Sequence, residues 1–170
     1  MLTDTTKIER VLERIADDVA DNIENINCGG CAVYAVELAK RLDAIGITNY
    51  KIRTYGYSGS EKTNVSTVER KVFNTNLPKY TEDWGDNGVY FSHVRLEWNG
   101  KVWDAEGATS SRKAGEWNYC YYRQRGHISR KAIEKLLPLQ CNWNSMFNRR
   151  QVPKLKRIMD KWFGEANLAA

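Results

Sequence analysis

Two alternating segments meet at Asn99-Gly100, and that turn constrains the fold more than any other feature of the chain. Both positions tolerate positive φ, which the favoured two-residue hairpin requires. Val89-Tyr90-Phe91-Ser92-His93-Val94-Arg95-Leu96-Glu97-Trp98 on one side and Lys101-Val102-Trp103-Asp104 on the other predict a hairpin over residues 89–104. With Trp98 facing Lys101, the register sets Arg95 opposite Asp104 and His93 opposite Glu106. Strand side chains alternate between faces, so His93, Arg95, Glu97, Val102, Asp104 and Glu106 share one face. Val94, Leu96, Trp98, Trp103 and Ala105 share the other. His93 and Asp104 are then diagonal neighbours, roughly 7–8 Å apart at Cα, within reach of an imidazole–carboxylate hydrogen bond. Glu106 is a second candidate to orient His93.

Two helices are predicted ahead of the hairpin. Ile8, Val11, Leu12, Ile15, Val19, Ile23 and Ile26 recur at spacings of three and four, with Asp4 or Thr5 as the cap. A second helix starts at Cys31, after Gly29 and Gly30, and runs to a stop at Gly46. Ala35, Leu38, Ala39, Leu42 and Ile45 form its apolar stripe. Residues 47–57 alternate as a strand. Residues 58–87 are polar and aperiodic, with a short strand expected near residues 68–73, and a loop of that length is usually a binding loop, a lid or disordered. Beyond Gly107 a loop is expected, then an aromatic-basic stretch from Trp117 to Arg125, a helix after Ser129 and another from near Pro153 to Phe163.

The chain has 170 residues, 42% hydrophobic and 28% charged, which fits one globular domain and excludes collagen, coiled coil and wholesale disorder. No run of 18 apolar residues exists, so no membrane-spanning helix is expected. The first residues lack an apolar signal-peptide core, so the expected location is the cytoplasm, of a cell or of a virus's host. The net charge of +5 is unevenly spread: residues 1–111 hold 13 basic and 17 acidic residues, residues 112–170 hold 13 and 4. The basic last third is therefore either a solvated face or a docking surface for nucleic acid or an acidic protein. Its aromatic-basic stretch mixes stacking platforms with cations, but carries no nucleic-acid recognition motif.

Four cysteines are too few for a disulfide scaffold. A thiol at a helix start, such as Cys31, feels the positive end of the helix dipole and its unpaired N–H groups, which stabilise the thiolate. Gly29 and Gly30 clear space for a substrate backbone. Two other readings compete. Cys28-Gly29-Gly30-Cys31 has the spacing of a thiol–disulfide exchange pair, but a helix precedes it rather than a strand, and Pro78, Pro138 and Pro153 are poorly set to face it. A zinc site needs two more ligands from Cys120, Cys141, His93 and His127, and no second close pair of ligands is present. His127 has no carboxylate near it in sequence.

The order Cys31, His93, Asp104, with the cysteine opening a helix and the others on adjacent strands, resembles the transglutaminase-like and papain-like cysteine enzymes. The resemblance covers roughly residues 8–107 and leaves residues 108–170 as a basic C-terminal elaboration of the same domain. It implies an α+β fold, with N-terminal helices, the Cys31 helix packed on an antiparallel sheet, and C-terminal helices. It also implies a thiol hydrolase or acyltransferase acting on peptide, protein amide or isopeptide substrates through an acyl-enzyme. In that carry-over Cys31 is the nucleophile, His93 the general base and acid, Asp104 the orienting carboxylate, and Asn27 lies near the oxyanion hole. No cofactor or metal is implied. The rival class is a non-catalytic binding protein that uses the enzyme core as a scaffold and works through its basic third.

Overall fold

The structure is a computed structural model that describes residues 4–27, 29–57, 93–110, 116–117, 120–140 and 147–166. Helix α1 (Thr5–Asn22) starts where the Asp4 carboxylate accepts from the amides of Thr6 and Lys7, at 3.0 and 3.3 Å. These are donors that no helical carbonyl reaches. Ile8, Val11, Leu12, Ile15 and Val19 are buried along one stripe, each contributing on the order of 1.5–3 kcal/mol. Helix α2 (Cys31–Ala44) follows, and Gly46, at φ +81°, takes the left-handed turn beyond its end.

The strands are β1 (Lys51–Tyr57), β2 (His93–Trp98), β3 (Lys101–Asp104), β4 (Gly107–Ser110), β5 (Glu116–Trp117) and β6 (Cys120–Ile128). Five of them form an antiparallel sheet in the order β4-β3-β2-β1-β6, and the two-residue β5 adds to the outer edge of β6. The β2–β3 turn has φ of 50° at Asn99 and 71° at Gly100, and pairs Trp98 with Lys101, Glu97 with Val102 and Leu96 with Trp103. The hairpin therefore has the register its turn residues dictate. The expected strand over residues 89–92 and the short strand near 68–73 lie outside the described residues.

Helix α3 (Arg130–Gln140), a 3-10 turn (Arg149–Gln151) and helix α4 (Val152–Glu165), with Pro153 in its first turn, complete an α+β architecture. Helix α2 packs against β2 and β3 on one side and against α3 and α4 on others, while α4 also packs on α1. Every residue from Cys31 to Ala39 is consequently buried, Glu37 included, rather than the single stripe that periodicity suggests. No helix among the described residues is long and apolar enough to cross a membrane.

Two features of the last third differ from the sequence reading. The expected loop after Gly107 is β4, reached through a tight Ala105-Glu106 turn with Gly107 at φ +94°. Gly107-Ala108-Thr109-Ser110 shows no apolar alternation, and α1 runs close to it: a Cβ on Gly107 would stand 3.9 Å from Ala16 Cβ. The aromatic-basic stretch lies largely in β6, which pairs directly with β1. A strand from beyond residue 107 thus belongs to the same sheet as β1 and β2. Basic residues of α3 and α4 also meet acids of the first two helices: Lys161 with Asp18 at 3.2 Å, Lys156 with Glu37 at 3.8 Å, and Arg130 with Asp43. Arg41 of α2 reaches Asp160 of α4 in return, at 2.9 Å. These pairs join the basic last third to the acidic first helices.

Alternation along β2 and its neighbours divides the sheet. Ile52, Val94, Leu96, Trp98, Trp103 and Ile128 join the hydrophobic core beneath the helices. Arg53, Tyr55, His93, Arg95, Glu97, Val102 and Asp104 fall on the opposite face by register.

Candidate active site

Cys31 is the first residue of α2, and its N-cap is Gly30, which offers no side-chain cap to the first-turn amides. Gly30 has an ordinary φ of −95°, so its requirement is space rather than backbone freedom. A Cβ there would lie 2.7 Å from the Ile26 carbonyl oxygen and 2.9 Å from Phe147 Cδ2. The tight approach to Ile26 and Phe147 sets where the helix, and with it the thiol, begins.

His93 opens β2 and Asp104 closes β3. His93 Nε2 lies 3.1 Å from Asp104 Oδ2, and both side chains are almost fully buried. The thiol of Cys31, 8% exposed as a residue, lies close enough to the same ring for the two to interact electrostatically. With Nε2 on the carboxylate, Nδ1 is the nitrogen left for the thiol proton. Burial alone would push the Cys31 thiol up. The His93 charge and hydrogen bond, with the backbone amides of Val94 and Ala32, outweigh burial and hold it below its ordinary value. Burial disfavours the imidazolium, but the thiolate and the Asp104 hydrogen bond raise His93 to about 9. Each partner favours the charged form of the other, which biases the pair toward thiolate and imidazolium.

Asp104 is held from both oxygens. Oδ1 accepts the Glu106 amide at 2.9 Å, and Oδ2 faces His93 and also Arg95 Nε, at 2.6 Å. Burial would raise this carboxyl, but the His93 hydrogen bond and the Arg95 charge keep it below the usual range.

The structure thus brings Cys31, His93 and Asp104 together. It turns the other two candidates toward each other: Asn27 Nδ2 donates to Glu106 Oε1 at 3.1 Å. The expected His93–Glu106 pair does not form in the sheet, because β3 ends at Asp104 and Ala105-Glu106 make the turn into β4. Arg95 is the member that sequence reasoning passed over, although the hairpin register already set it opposite Asp104. His127 meets Glu97 at 3.2 Å, beside Arg53, which pairs with Glu97 at 2.5 Å.

Among the described residues, no group of three or more His, Cys, Asp or Glu side chains is placed to hold a metal ion. Cys28 and Cys141, on which the disulfide-exchange and zinc readings depend, lie outside those residues. Compared with known proteins, the chain matches no family model, no curated protein and no solved structure.

Proposed function

We propose that the protein is a thiol-dependent hydrolase or acyltransferase of the papain or transglutaminase type, with Cys31 as nucleophile, His93 as general base and acid, and Asp104 as the orienting carboxylate. The observation that carries this reading is the buried cluster in which His93 Nε2 lies 3.1 Å from Asp104 Oδ2, with the Cys31 thiol beside the same ring at the start of α2. The substrate class is an amide, ester or isopeptide carbonyl of a peptide or protein.

The Cys31 thiolate attacks the carbonyl carbon, and the carbonyl electron pair moves onto oxygen, where the positive end of α2 stabilises it. Collapse of that intermediate expels the leaving group, which takes the proton held by His93. A thioester remains on Cys31. Water or an amine then attacks it while His93 removes the proton, and the thiolate leaves to restore the ion pair.

The rival reading, a basic binding module, draws less support, because Arg130, Lys156 and Lys161 are engaged by acids of α1 and α2. The test is limiting iodoacetamide at about pH 6, where an ordinary thiol is almost wholly protonated. Selective labelling of Cys31, mapped by mass spectrometry, is expected. Slow, uniform labelling of all four cysteines would overturn the proposal.

A further inference from the structure

A permanently charged side chain is buried in the same cluster. Arg95 is 2% exposed, and its Nε approaches the Asp104 oxygen that His93 also faces. Its guanidinium carbon stands 5.7 Å from the centroid of the Tyr55 ring, and that ring lies 6.3 Å from the His93 ring. A guanidinium so far from water is retained only against a compensating charge.

With Cys31 as thiolate, His93 as imidazolium and Asp104 as carboxylate, the three groups together carry one net negative charge away from water. Arg95 cancels it. We propose that Arg95 is a positioning residue acting through Asp104: it fixes the carboxylate and offsets its charge, so that Asp104 orients the His93 ring without gripping the proton His93 must release. This inference rests on Cys31 being the nucleophile. An uncompensated carboxylate at Nε2 would stabilise the imidazolium further and oppose proton transfer to a leaving amine. Arg95 works in the opposite sense, lowering the proton affinity that Cys31 and Asp104 raise.

Among the described residues, the other titratable groups around this pair do not supply that compensation. Tyr34, on α2, is pushed up by burial and by the Asp104 charge, and Tyr55, on β1, is pushed up by burial, so both phenols stay neutral. Arg53, beside Tyr55, is paired with Glu97. Glu106, in the turn after β3, carries a charge of the wrong sign and bonds to Asn27.

The test is the imidazole titration of the full chain by nitrogen-15 NMR, which is simple because His93 and His127 are its two histidines. In Arg95→Met the His93 midpoint is expected to rise by about one unit, a tenfold gain in proton affinity. In Arg95→Lys, which keeps the charge, the affinity should stay within about twofold of the parent, a shift of about 0.3 units. A folded Arg95→Met with an unmoved midpoint overturns the inference. If Arg95→Met does not fold, Arg95→Gln is read in the same way. Failure of both neutral variants to fold makes Arg95 a structural residue and also overturns it. A wild-type His93 midpoint near about 6.5 instead removes the nucleophile assignment beneath it.

Discussion

Asn27 donates its side-chain amide to Glu106 Oε1 across 3.1 Å, tying the approach to the Cys31 helix to the turn that follows Asp104. The bond joins the two pieces of chain whose relative position decides whether the thiol meets the imidazole. Asn27→Ala and Glu106→Ala are each expected to cost about 0.5–1.5 kcal/mol. A double-mutant cycle by urea denaturation should show the two effects overlapping, and simple additivity would assign the bond no energy.

The thiols should separate sharply by role. Cys31→Ala is expected to abolish acyl transfer, whereas Cys28→Ala should retain much of it, measured as turnover of an activated amide or ester. Because Cys31 is only 8% exposed, reagent size matters as well. Iodoacetamide should label Cys31 at least tenfold faster than a bulky aromatic maleimide, after normalising each reagent to a free thiol. Equal normalised rates would show a more open site than the one described.

Two glycines make a contrasting pair. Gly30→Ala places a methyl group 2.7 Å from the Ile26 carbonyl oxygen, and overpacking of that kind costs about 1–3 kcal/mol. It should also slow Cys31 labelling, because relief of the contact moves the start of α2. Gly164, in α4, has nothing within 4 Å of the corresponding position, so Gly164→Ala should stabilise by roughly 0.5–1 kcal/mol. Thermal melts of the two variants should move in opposite directions.

Stability should depend on pH in a shape set by the ion pair. The folded pair holds one proton, on His93, from the lowered thiol value up to about 9. The unfolded chain holds two protons on these groups below about 6.5, one between about 6.5 and 8.5, and none above. Stability rises with pH wherever the unfolded state binds more protons. Above about pH 8.5 the unfolded chain holds no proton on these groups while His93 keeps its own, so the pair's contribution declines there until His93 deprotonates at about 9. Asp104, lowered in the fold, adds stability above about pH 3.9 that is lost on acidification. The difference in unfolding free energy between wild type and Cys31→Ala/His93→Gln should show that decline. A difference flat from pH 5 to 10 would mean that the pair is neutral.

The hairpin was legible because Asn99-Gly100 specifies both a turn type and a register, and that register alone set His93 near Asp104 and Arg95 opposite it. The first helix was legible because one of its faces is solvated, leaving a clean stripe from Ile8 to Val19. Helix α2 was legible in extent but not in environment: cover on several sides erases the polar contrast that marks a face. Strand β4 escaped because packing beside α1 selects small residues, and small residues carry no alternation. In β6, aromatic and basic residues are intermixed, and the pairing shifts between Thr54 and Tyr55 of β1, so no single period runs through it. Glu106 was misplaced for a geometric reason, since extrapolating the hairpin register past Asp104 took no account of the turn into β4.

The position of β6 beside β1 bears on the order of events during synthesis. A ribosome that has released the first 107 residues has already made the thiol, the imidazole and both groups that flank Asp104. At that moment β1 is still a raw edge, and the helix that covers α1 and α2 has not been made. The nascent chain thus carries all the reactive chemistry before it has a finished scaffold to hold it, and an unpaired edge invites wrong partners. Closure waits for residues 120–165, so the Cys31–His93–Asp104 cluster gains its full support only after those residues have been made.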